Sequence, residues 1–481
     1  MNAQVTVTKN AGILMGMELG VKALDVVLWM ILARYLAPQG FGLLAFALSF
    51  ALLFSALSSF EMGPLTTRDV ARDLRQLSRY LSNSLAIRGL LALLTLAVMW
   101  VVTGLMGFPM STRLTVVLAG LSMVLETNVR FALFFFQAAQ RVSTVSLVNL
   151  SVRLGWLLTS LGIIVLKGGL VELLAARVLV AAGGLVAAVV LIDRRLQRIT
   201  WAFEPAFSWQ LVKAAFPFLL VRLVGWTHMD VAMVMLSVMR GPVMTGWLAV
   251  AYRCCRVFTF IPDSAYGAML PVMSQSSRNS SAELPDLLTR GCRYLFMIGL
   301  PIAGGICVLA DRLVLLLFGP AYLAAVPALR LLVWMVPLSF LDSALITAIF
   351  AVDQERRASL WLCWAALFNL LINLLAIPRF GHVGAAAAIL ATEGLIVWLQ
   401  ARLLRQRLPH FRLLGQMVKP LAAAIVMVTF TWVSRGAGLV YTVLGAAAVY
   451  LGSLIVLRAM GPEEWAILRG VIRPSAFDER A

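Results

Sequence analysis

Long apolar stretches alternate with short polar connections along nearly the whole chain. Each stretch holds roughly 18 to 28 residues, the length that a helix needs to cross about 30 Å of hydrocarbon. Segments in lipid must satisfy their own backbone hydrogen bonds, so these stretches are predicted to be helices. The pattern predicts fourteen spans, at approximately 13–36, 41–60, 83–106, 114–138, 145–166, 169–192, 214–238, 243–269, 293–317, 324–351, 358–378, 382–404, 418–435 and 438–457.

The composition supports an all-α, polytopic integral membrane protein. Of the 481 residues 61% are hydrophobic and 13% are charged, and mean hydropathy is +0.92. A soluble domain has too little polar surface to cover so much apolar area. The five cysteines lie in or beside spans and indicate no disulfide framework. The first ten residues run into a helix without a small-residue cleavage site, so we expect no removable signal peptide.

The connections between spans divide sharply by charge. One alternating set carries 24 Lys and Arg residues, whereas the other carries only Arg113, Lys167, Arg240, Arg379 and Arg435. Basic loops remain in the cytoplasm, so both termini are predicted to be cytoplasmic and the number of spans to be even. This asymmetry also explains most of the net charge of +18, which in a soluble chain would indicate nucleic-acid binding.

Eleven basic residues lie inside the predicted spans. Arg34, Arg88, Arg312 and Arg330 are near span ends, from which we expect them to extend to the interface. A charge near the bilayer centre costs about 2.5–3.5 kcal/mol on insertion scales, so it faces a partner or water. The sequence therefore predicts a positively charged interior suited to an anionic cargo, formed by Lys22, Arg130, Arg153, Arg177, Arg222, Arg253 and Arg256.

Several of these basic residues have a structural alternative. Arg130 follows Glu126 by four residues, and we interpret this pair as an ion pair within one helix. Arg177 either pairs with a neighbouring helix or serves the cargo. For Arg153 the alternative is contact with cytoplasmic water.

Lys22 lies on one helix face between two acids. Glu18, Lys22 and Asp25 are spaced i, i+4 and i+7. Lys22 therefore either forms an ion pair with these carboxylates or binds an anionic cargo. The two roles are compatible, because a paired lysine can exchange its carboxylate for a phosphate. Asp25, Asp230 and Glu18 are also candidates for coupling to a proton or sodium gradient, because carboxylates inside membranes often serve that role.

The chain contains a weak internal repeat. The segments Asp25–Met30 and Gly42–Ala47 resemble Asp230–Met235 and Gly246–Ala251 after a one-residue gap. Helices 1 and 7 would then be equivalent, so the halves would be parallel repeats. The polar, basic stretch 193–213 between them, with Trp201 and Trp209, is predicted to be a cytoplasmic linker along the membrane surface.

Four groups of motifs resemble polysaccharide (O-antigen or exopolysaccharide) flippases of the multidrug, oligosaccharidyl-lipid and polysaccharide (MOP) exporter superfamily. Each motif is moderately specific, and together they span nearly the whole chain in order. They are the first-helix exit Leu32–Gly42, the basic loop Phe60–Arg68, the ninth helix and its exit Gly299–Gly304 and Leu317–Tyr322, and the turn Asn369–Asn373 with Pro378–Ala385.

The resemblance implies two pseudo-symmetric six-helix lobes around a cavity lined by helices 1, 2, 7 and 8. The expected domains are an N-terminal lobe at 1–192, a cytoplasmic linker at 193–213 and a C-terminal lobe at 214–410. Two peripheral helices and a cytoplasmic tail are expected in 411–481. The cavity would open alternately to each side of the bacterial inner membrane and carry an undecaprenyl-pyrophosphate-linked oligosaccharide. Arg and Lys suit a pyrophosphate or acidic sugar, and we predict that Lys22, Arg222, Arg253 and Arg256 bind it.

The resemblance also sets expectations about partners and chemistry. The expected partners are the lipid-linked oligosaccharide, membrane lipids, and polysaccharide polymerase and assembly proteins. Nucleic acid is not an expected partner. The sequence has no phosphate-binding P-loop and no metal-ligand cluster, so we expect a transporter without cofactor or metal rather than an enzyme. Trp226, one turn before Asp230, either stacks on a sugar or packs between helices.

Three alternative functions are less consistent with the sequence. Lipid II flippases carry an Arg-Asp pair after the first-helix exit, where this chain has Pro38-Gln39-Gly40. Multidrug exporters of this fold favour cationic compounds and apolar or acidic cavities. A membrane-embedded polymerase or ligase would be expected to carry a sizeable periplasmic loop, whereas every periplasmic connection predicted here is short.

Overall fold

The computed structural model describes residues 3–225, 227–279, 283–408, 411, 415 and 417–459. In these ranges the chain forms helices and connecting turns and contains no strand, which confirms the all-α class. The helices are α1 Ala3–Ser59, α2 Met62–Arg72, α3 Leu77–Leu105, α4 Met110–Ala138, α5 Val142–Val165, α6 Leu170–Arg195, α7 Pro205–Gly225, α8 Thr227–Arg240, α9 Pro242–Arg256, α10 Phe260–Asn279, α11 Leu284–Phe318, α12 Val326–Leu332, α13 Met335–Ala351, α14 Glu355–Arg407, α15 Val418–Val433 and α16 Leu439–Val456.

The helix lengths confirm a multi-pass membrane protein. Within the described ranges, nine helices are long and apolar enough to cross a membrane, or ten with the bent pair Pro320–Leu332 and Met335–Ala351. Two of the nine, α1 and α14, are broken at Ala37 and Gly381, and each covers two predicted spans. The total of fourteen spans stays a prediction.

Two helix breaks share one local structure. Ala37 has φ 53° and precedes Pro38 inside α1, and Gly241 has φ 86° and precedes Pro242 at the start of α9. Proline fits the first turn of a helix because its missing N–H would have no partner there. The left-handed residue before it redirects the chain, which is favourable for glycine and strained for Ala37.

The two turns contact each other through glycine, and we call this the exit-turn contact. A Cβ atom added to Gly42 would overlap the carbonyl oxygen of Pro242, and one added to Gly246 would overlap that of Pro38. The contact is reciprocal, because each Pro-x-x-x-Gly segment places its proline carbonyl on the other's glycine. Only glycine permits two backbones to approach this closely.

The described chain divides into two compact units. The first comprises Met1–Arg253 and Leu362–Ala388, and its core includes a cluster of phenylalanines on α4 that packs with α2, α3 and α6. The second comprises Cys254–Trp361 and Ile389–Ala481, and in it α15 and α16 pack on α11 around Met427 and Tyr450. The predicted domain division at 192 and 214 stays a prediction.

Residues 199–208, here called the strap, lie against the start of α3. The Thr200 N–H donates to Ser78 Oγ at 2.7 Å, and the Glu204 N–H donates to Asn83 Oδ1 at 2.7 Å. Asn83 is fully buried. Ser78 and Asn83 are buried whereas residues 200–203 are exposed, so these two hydrogen bonds tie an exposed, irregular segment to the interior of the first unit.

Aromatic side chains in and beside the strap remain accessible. Trp201 is 64% exposed and Trp209 is 60% exposed, and the Lys213 ammonium lies 5.4 Å from the ring centre of Trp209. Exposed indoles next to basic residues are typical of the headgroup region of a bilayer. This arrangement is consistent with the predicted position of the linker along the membrane surface.

Replacement of Asn83 by alanine is expected to loosen the strap. The variant leaves the Glu204 N–H and the Ala202 carbonyl without the side chain that now binds them. Unpaired buried polar groups cost about 1–3 kcal/mol, so thermal unfolding of the purified protein should begin at a clearly lower temperature. Gln76→Ala is the control, because Gln76 makes only an exposed hydrogen bond to Asp73. Equal unfolding temperatures for the two variants would show that the strap is held by other contacts.

Candidate functional site

The middle of α1 carries a polar face inside the first unit. Lys22, Asp25 and Trp29 follow at intervals of three and four residues, which places them in one stripe along the helix. Lys22 is exposed, while Asp25 and Trp29 are half-buried. A lysine, a carboxylate and an indole therefore lie on the same face.

An arginine from α5 reaches this stripe. Arg153 Nη1 lies 3.5 Å from Asp25 Oδ1, and the two side chains are 39% and 28% exposed. The distance is long for a charge-assisted hydrogen bond, and partly solvated ion pairs contribute only about 0–1 kcal/mol. Arg153 is thus held loosely and pairs with Asp25 rather than extending only to cytoplasmic water.

A second arginine, from α9, stacks on the indole. The guanidinium carbon of Arg253 lies 3.6 Å from the ring centre of Trp29, and the Phe41 ring packs edge-on to Trp29 at 6.1 Å between centroids. In such a stack the guanidinium lies over the ring and its N–H groups point outward in the guanidinium plane. The α1 site is the group of Lys22, Asp25, Trp29, Arg153 and Arg253.

A tighter ion pair lies deeper in the same unit. Arg177 Nε of α6 donates to Glu126 Oε1 of α4 at 2.8 Å, and the side chains are only 9% and 17% exposed. Arg177 therefore has the neighbouring-helix partner that the sequence left open. The predicted pair of Glu126 and Arg130 is present as an electrostatic attraction, but the hydrogen bond to Glu126 comes from Arg177. Arg177 reaches the carboxylate from a facing helix, which the spacing within α4 cannot reveal.

These two ion pairs belong to a wider group of charges. Glu126 attracts Arg153 and Arg130 as well as its bonded partner Arg177, and Arg130 is also attracted by Glu61. Arg153 therefore interacts with two carboxylates, Asp25 and Glu126, which lie on different helices.

Arg88 does not extend to the interface, and this corrects the expectation from the sequence. It is 3% exposed, its Nε donates to Asn128 Oδ1 at 2.6 Å, and its Nη1 donates to the Ser59 carbonyl at 2.8 Å. The guanidinium also lies 4.7 Å from the ring centre of Phe131. The position of a residue near a span end indicates its depth in the membrane but not the direction of its side chain. Arg88 lies on the face of α3 that points at α4.

The remaining predicted site residues are Arg256, Asp230, Glu18, Arg222 and Trp226. Arg256 is exposed at the end of α9, and Asp230 is half-buried on α8. Glu18 and Arg222 lie outside the residues whose side chains are described, and Trp226 lies outside the described residues altogether.

Trp29 and Arg153 were underestimated from the sequence. In the sequence Trp29 stands out only as part of the repeat, although its position four residues after Asp25 places it on the charged face. The sequence does not decide between the two interpretations of Arg153. Its partner lies on another helix, and only the packing of α5 on α1 brings them together.

The family model described as "Polysaccharide biosynthesis protein" matches residues 7–277, more than half of the chain. The chain belongs to this family. The matched region contains every residue of the α1 site. A curated relative from Haloferax volcanii, "Probable low-salt glycan biosynthesis flippase Agl15", is 24% identical over 164 residues. That alignment covers 34% of this chain and 34% of the relative, so about a third of each is matched.

Solved structures share the fold of this polysaccharide biosynthesis protein. A lipid II flippase MurJ in an inward closed conformation superimposes with a TM-score of 0.68 at 14% identity, covering 96% of this chain and 100% of that one. A multidrug resistance MATE transporter in an inward-facing conformation gives 0.60 at 14% identity, covering 83% and 94%. A transporter from Pyrococcus furiosus gives 0.53, covering 83% and 94%. The protein therefore has the fold of the MOP superfamily.

Proposed function

We propose that this protein is a flippase that moves an undecaprenyl-pyrophosphate-linked oligosaccharide from the cytoplasmic to the periplasmic leaflet by alternating access, for cell-surface polysaccharide biosynthesis. The observation that carries the proposal is the α1 site, in which Arg153 contacts Asp25 and Arg253 stacks on Trp29, along the face of α1 that also carries Lys22. A pyrophosphate crossing a low-dielectric region requires such cations. Membership of a polysaccharide biosynthesis family supports a glycan as the remainder of the cargo.

The strengths of the ion pairs separate cargo-binding arginines from structural ones. Arg153 is half-exposed with a weak carboxylate contact, so a phosphate can replace that contact. Arg177 is buried in a short ion pair, and its removal would leave Glu126 uncompensated. We therefore assign Lys22, Arg153 and Arg253 to the cargo and keep Arg222 and Arg256 as predicted ligands.

The setting of the function follows from the charge of the loops. We place the protein in the bacterial inner membrane with both termini in the cytoplasm. Asp25, Asp230 and Glu18 remain candidates for coupling transport to a proton or sodium gradient. Polysaccharide polymerase and assembly proteins are proposed partners, because they would use the flipped cargo on the periplasmic side.

Deletion of the gene, followed by extraction of lipids, tests the proposed activity. We expect completed lipid-linked oligosaccharide to accumulate and to be accessible only from the cytoplasmic side of sealed, oriented vesicles. Accumulation on the periplasmic side would contradict the proposal and indicate a polymerase or ligase instead.

Arg153→Ala and Arg253→Ala should each impair transport in such a strain. A hydrogen bond to a charged group contributes about 1.5–3 kcal/mol, so each variant is expected to lower the transport rate by roughly tenfold or more. Arg68→Ala is the control, because Arg68 is 56% exposed on α2 and bonded to its neighbour Asp69. Full activity of both site variants, at normal membrane levels, would exclude the α1 site as the cargo site.

A further inference from the structure

The strap carries two aromatic side chains on one of its sides. The Thr200 and Ala202 carbonyls and the Glu204 N–H all bond to buried side chains of α3. Bonding of every second residue to one neighbour is typical of an extended segment, in which alternate side chains point to the same side. Trp201 and Phe203 lie between these residues, so they share a face of the strap, and each is at least 60% exposed.

The first turns of α7 add further aromatic side chains. Trp209, Lys213 and Phe216 are spaced i, i+4 and i+7, which places them on one face of the helix, and all three are exposed. Leu211 and Ala215, on another face, are buried. Exposed aromatic side chains grouped in one short segment indicate a contact with a partner or with lipid, because water would leave this apolar surface uncovered.

Arginines gather where α6 meets the strap. Arg141 donates to the Arg195 carbonyl at 2.8 Å, and Gln197 donates to the Arg75 carbonyl at 3.3 Å, so two other connections meet the chain here. The stretch 193–213 has four basic and two acidic residues, and one of the acids, Glu204, is paired with Arg79. The exposed arginines of this junction, here called the arginine cluster, are Arg75, Arg141, Arg194, Arg195 and Arg198.

A phospholipid with a net negative charge matches both features at once. Indoles favour the headgroup region of a bilayer, and guanidinium groups bind phosphate through charge-assisted hydrogen bonds. Basic segments beside membrane helices are attracted to anionic lipids, whereas the ammonium group of a zwitterionic lipid cancels the charge of its phosphate. A soluble anion would use the arginines and leave the aromatic side chains in water.

We propose that the strap, the first turns of α7 and the arginine cluster form a docking surface for anionic phospholipids. The aromatic side chains lie at the level of the headgroups, and the arginines hold the lipid phosphates. Because hydrogen bonds to Ser78 and Asn83 tie the strap to α3, the lipid is bound to the first unit and not merely to a linker. This surface does not depend on the proposed cargo.

Quenching of indole fluorescence by brominated lipid tests the docking surface. The probes are phosphatidylglycerol and phosphatidylcholine, brominated near the headgroup end of one chain and added at equal mole fraction to phosphatidylcholine nanodiscs that hold the full-length protein. The difference between wild type and the double variant Trp201→Phe with Trp209→Phe isolates the two indoles of the surface. We expect phosphatidylglycerol to quench these indoles as if it were enriched roughly threefold to tenfold beside them.

Two triple variants with the same loss of charge locate the effect. Replacement of Arg194, Arg195 and Arg198 by glutamine should bring the enrichment close to one, while both indoles stay accessible to brominated phosphatidylcholine. Replacement of Arg402, Arg405 and Arg407 by glutamine is the matched control, because these arginines are exposed at the end of α14 in the second unit. It should leave the enrichment at the strap unchanged.

Sodium chloride should lower the enrichment in wild type, because salt screens exposed charges, and sodium phosphate at equal ionic strength should lower it no further. A larger effect of phosphate would assign the arginine cluster to a soluble phosphate compound and overturn the proposal. The proposal also fails if neither lipid quenches the two indoles, if both lipids quench them equally, or if the control variant loses as much enrichment as the variant at the strap.

Discussion

Replacement of Gly42 or Gly246 by alanine is expected to reduce transport at least about tenfold. The added methyl group at either position would overlap a proline carbonyl of the opposing turn. Overpacking costs about 1–3 kcal/mol even where side chains can repack, and here the neighbour is backbone. A cost of 1.4 kcal/mol lowers the population of a state about tenfold. Even the middle of the overpacking range would therefore strongly depopulate the state in which the exit-turn contact is formed. Restoration of surface polysaccharide in a strain that lacks the gene provides the measurement.

Two neighbouring substitutions make this prediction selective. Gly40→Ala should be milder, because its new methyl group would meet Leu36 Cβ at 3.2 Å, a tight contact but not an overlap with backbone. Gly89→Ala on α3 should have no effect, because nothing lies within 4 Å of its added methyl group. If Gly42→Ala and Gly246→Ala support as much polysaccharide as Gly89→Ala, the exit-turn contact is not required for function.

Glu126→Gln is expected to destabilise the protein by about 3–5 kcal/mol. The change leaves the buried Arg177 guanidinium without its counter-charge, and uncompensated buried charges carry penalties of this size. That is a large part of the 5–15 kcal/mol that stabilises a typical native protein. The free energy of unfolding, measured on reconstituted protein, should show the loss directly.

Two further variants separate charge from packing at this position. The double variant Glu126→Leu with Arg177→Met removes both charges and should lie within about 1 kcal/mol of wild type, since apolar replacements of buried pairs are often neutral. Asp311→Asn disrupts the pair of Arg435 with Asp311, whose side chains are 34% and 37% exposed, and should cost less than about 1 kcal/mol. If the Glu126→Gln variant is as stable as the Asp311→Asn variant, Arg177 has found another partner.

Much of the fold is visible in the sequence because hydrocarbon imposes a length on each helix. The break of α1 at Pro38 and that of α14 at Gly381 both fall between predicted spans. The helices α7 to α10 are less regular than the apolar pattern indicates. Hydropathy measures affinity for lipid and contains no term for a turn within an apolar stretch, such as the 3-10 turn Val257–Thr259 inside the predicted span 243–269.

The site was predictable only in part, since helical spacing reveals contacts within a helix and not between helices. It placed Lys22 and Asp25 on one face correctly. It assigned Arg130 to Glu126, whereas Arg177 makes the short bond from the facing helix. It also placed Arg88 at the interface, although Asn128 on α4 binds its guanidinium in the interior. Partners across helices depend on the rotation of each helix, which a single sequence does not specify.

The strap has a consequence for how the protein is made. Thr200 and Glu204 bond to Ser78 and Asn83, which the ribosome has synthesised more than a hundred residues earlier. These hydrogen bonds can form as soon as the strap emerges, before α8 or any later helix exists. The strap can therefore tie α3 to the segment before α7 during translation, well before Leu362–Ala388, which completes the first unit, has been synthesised.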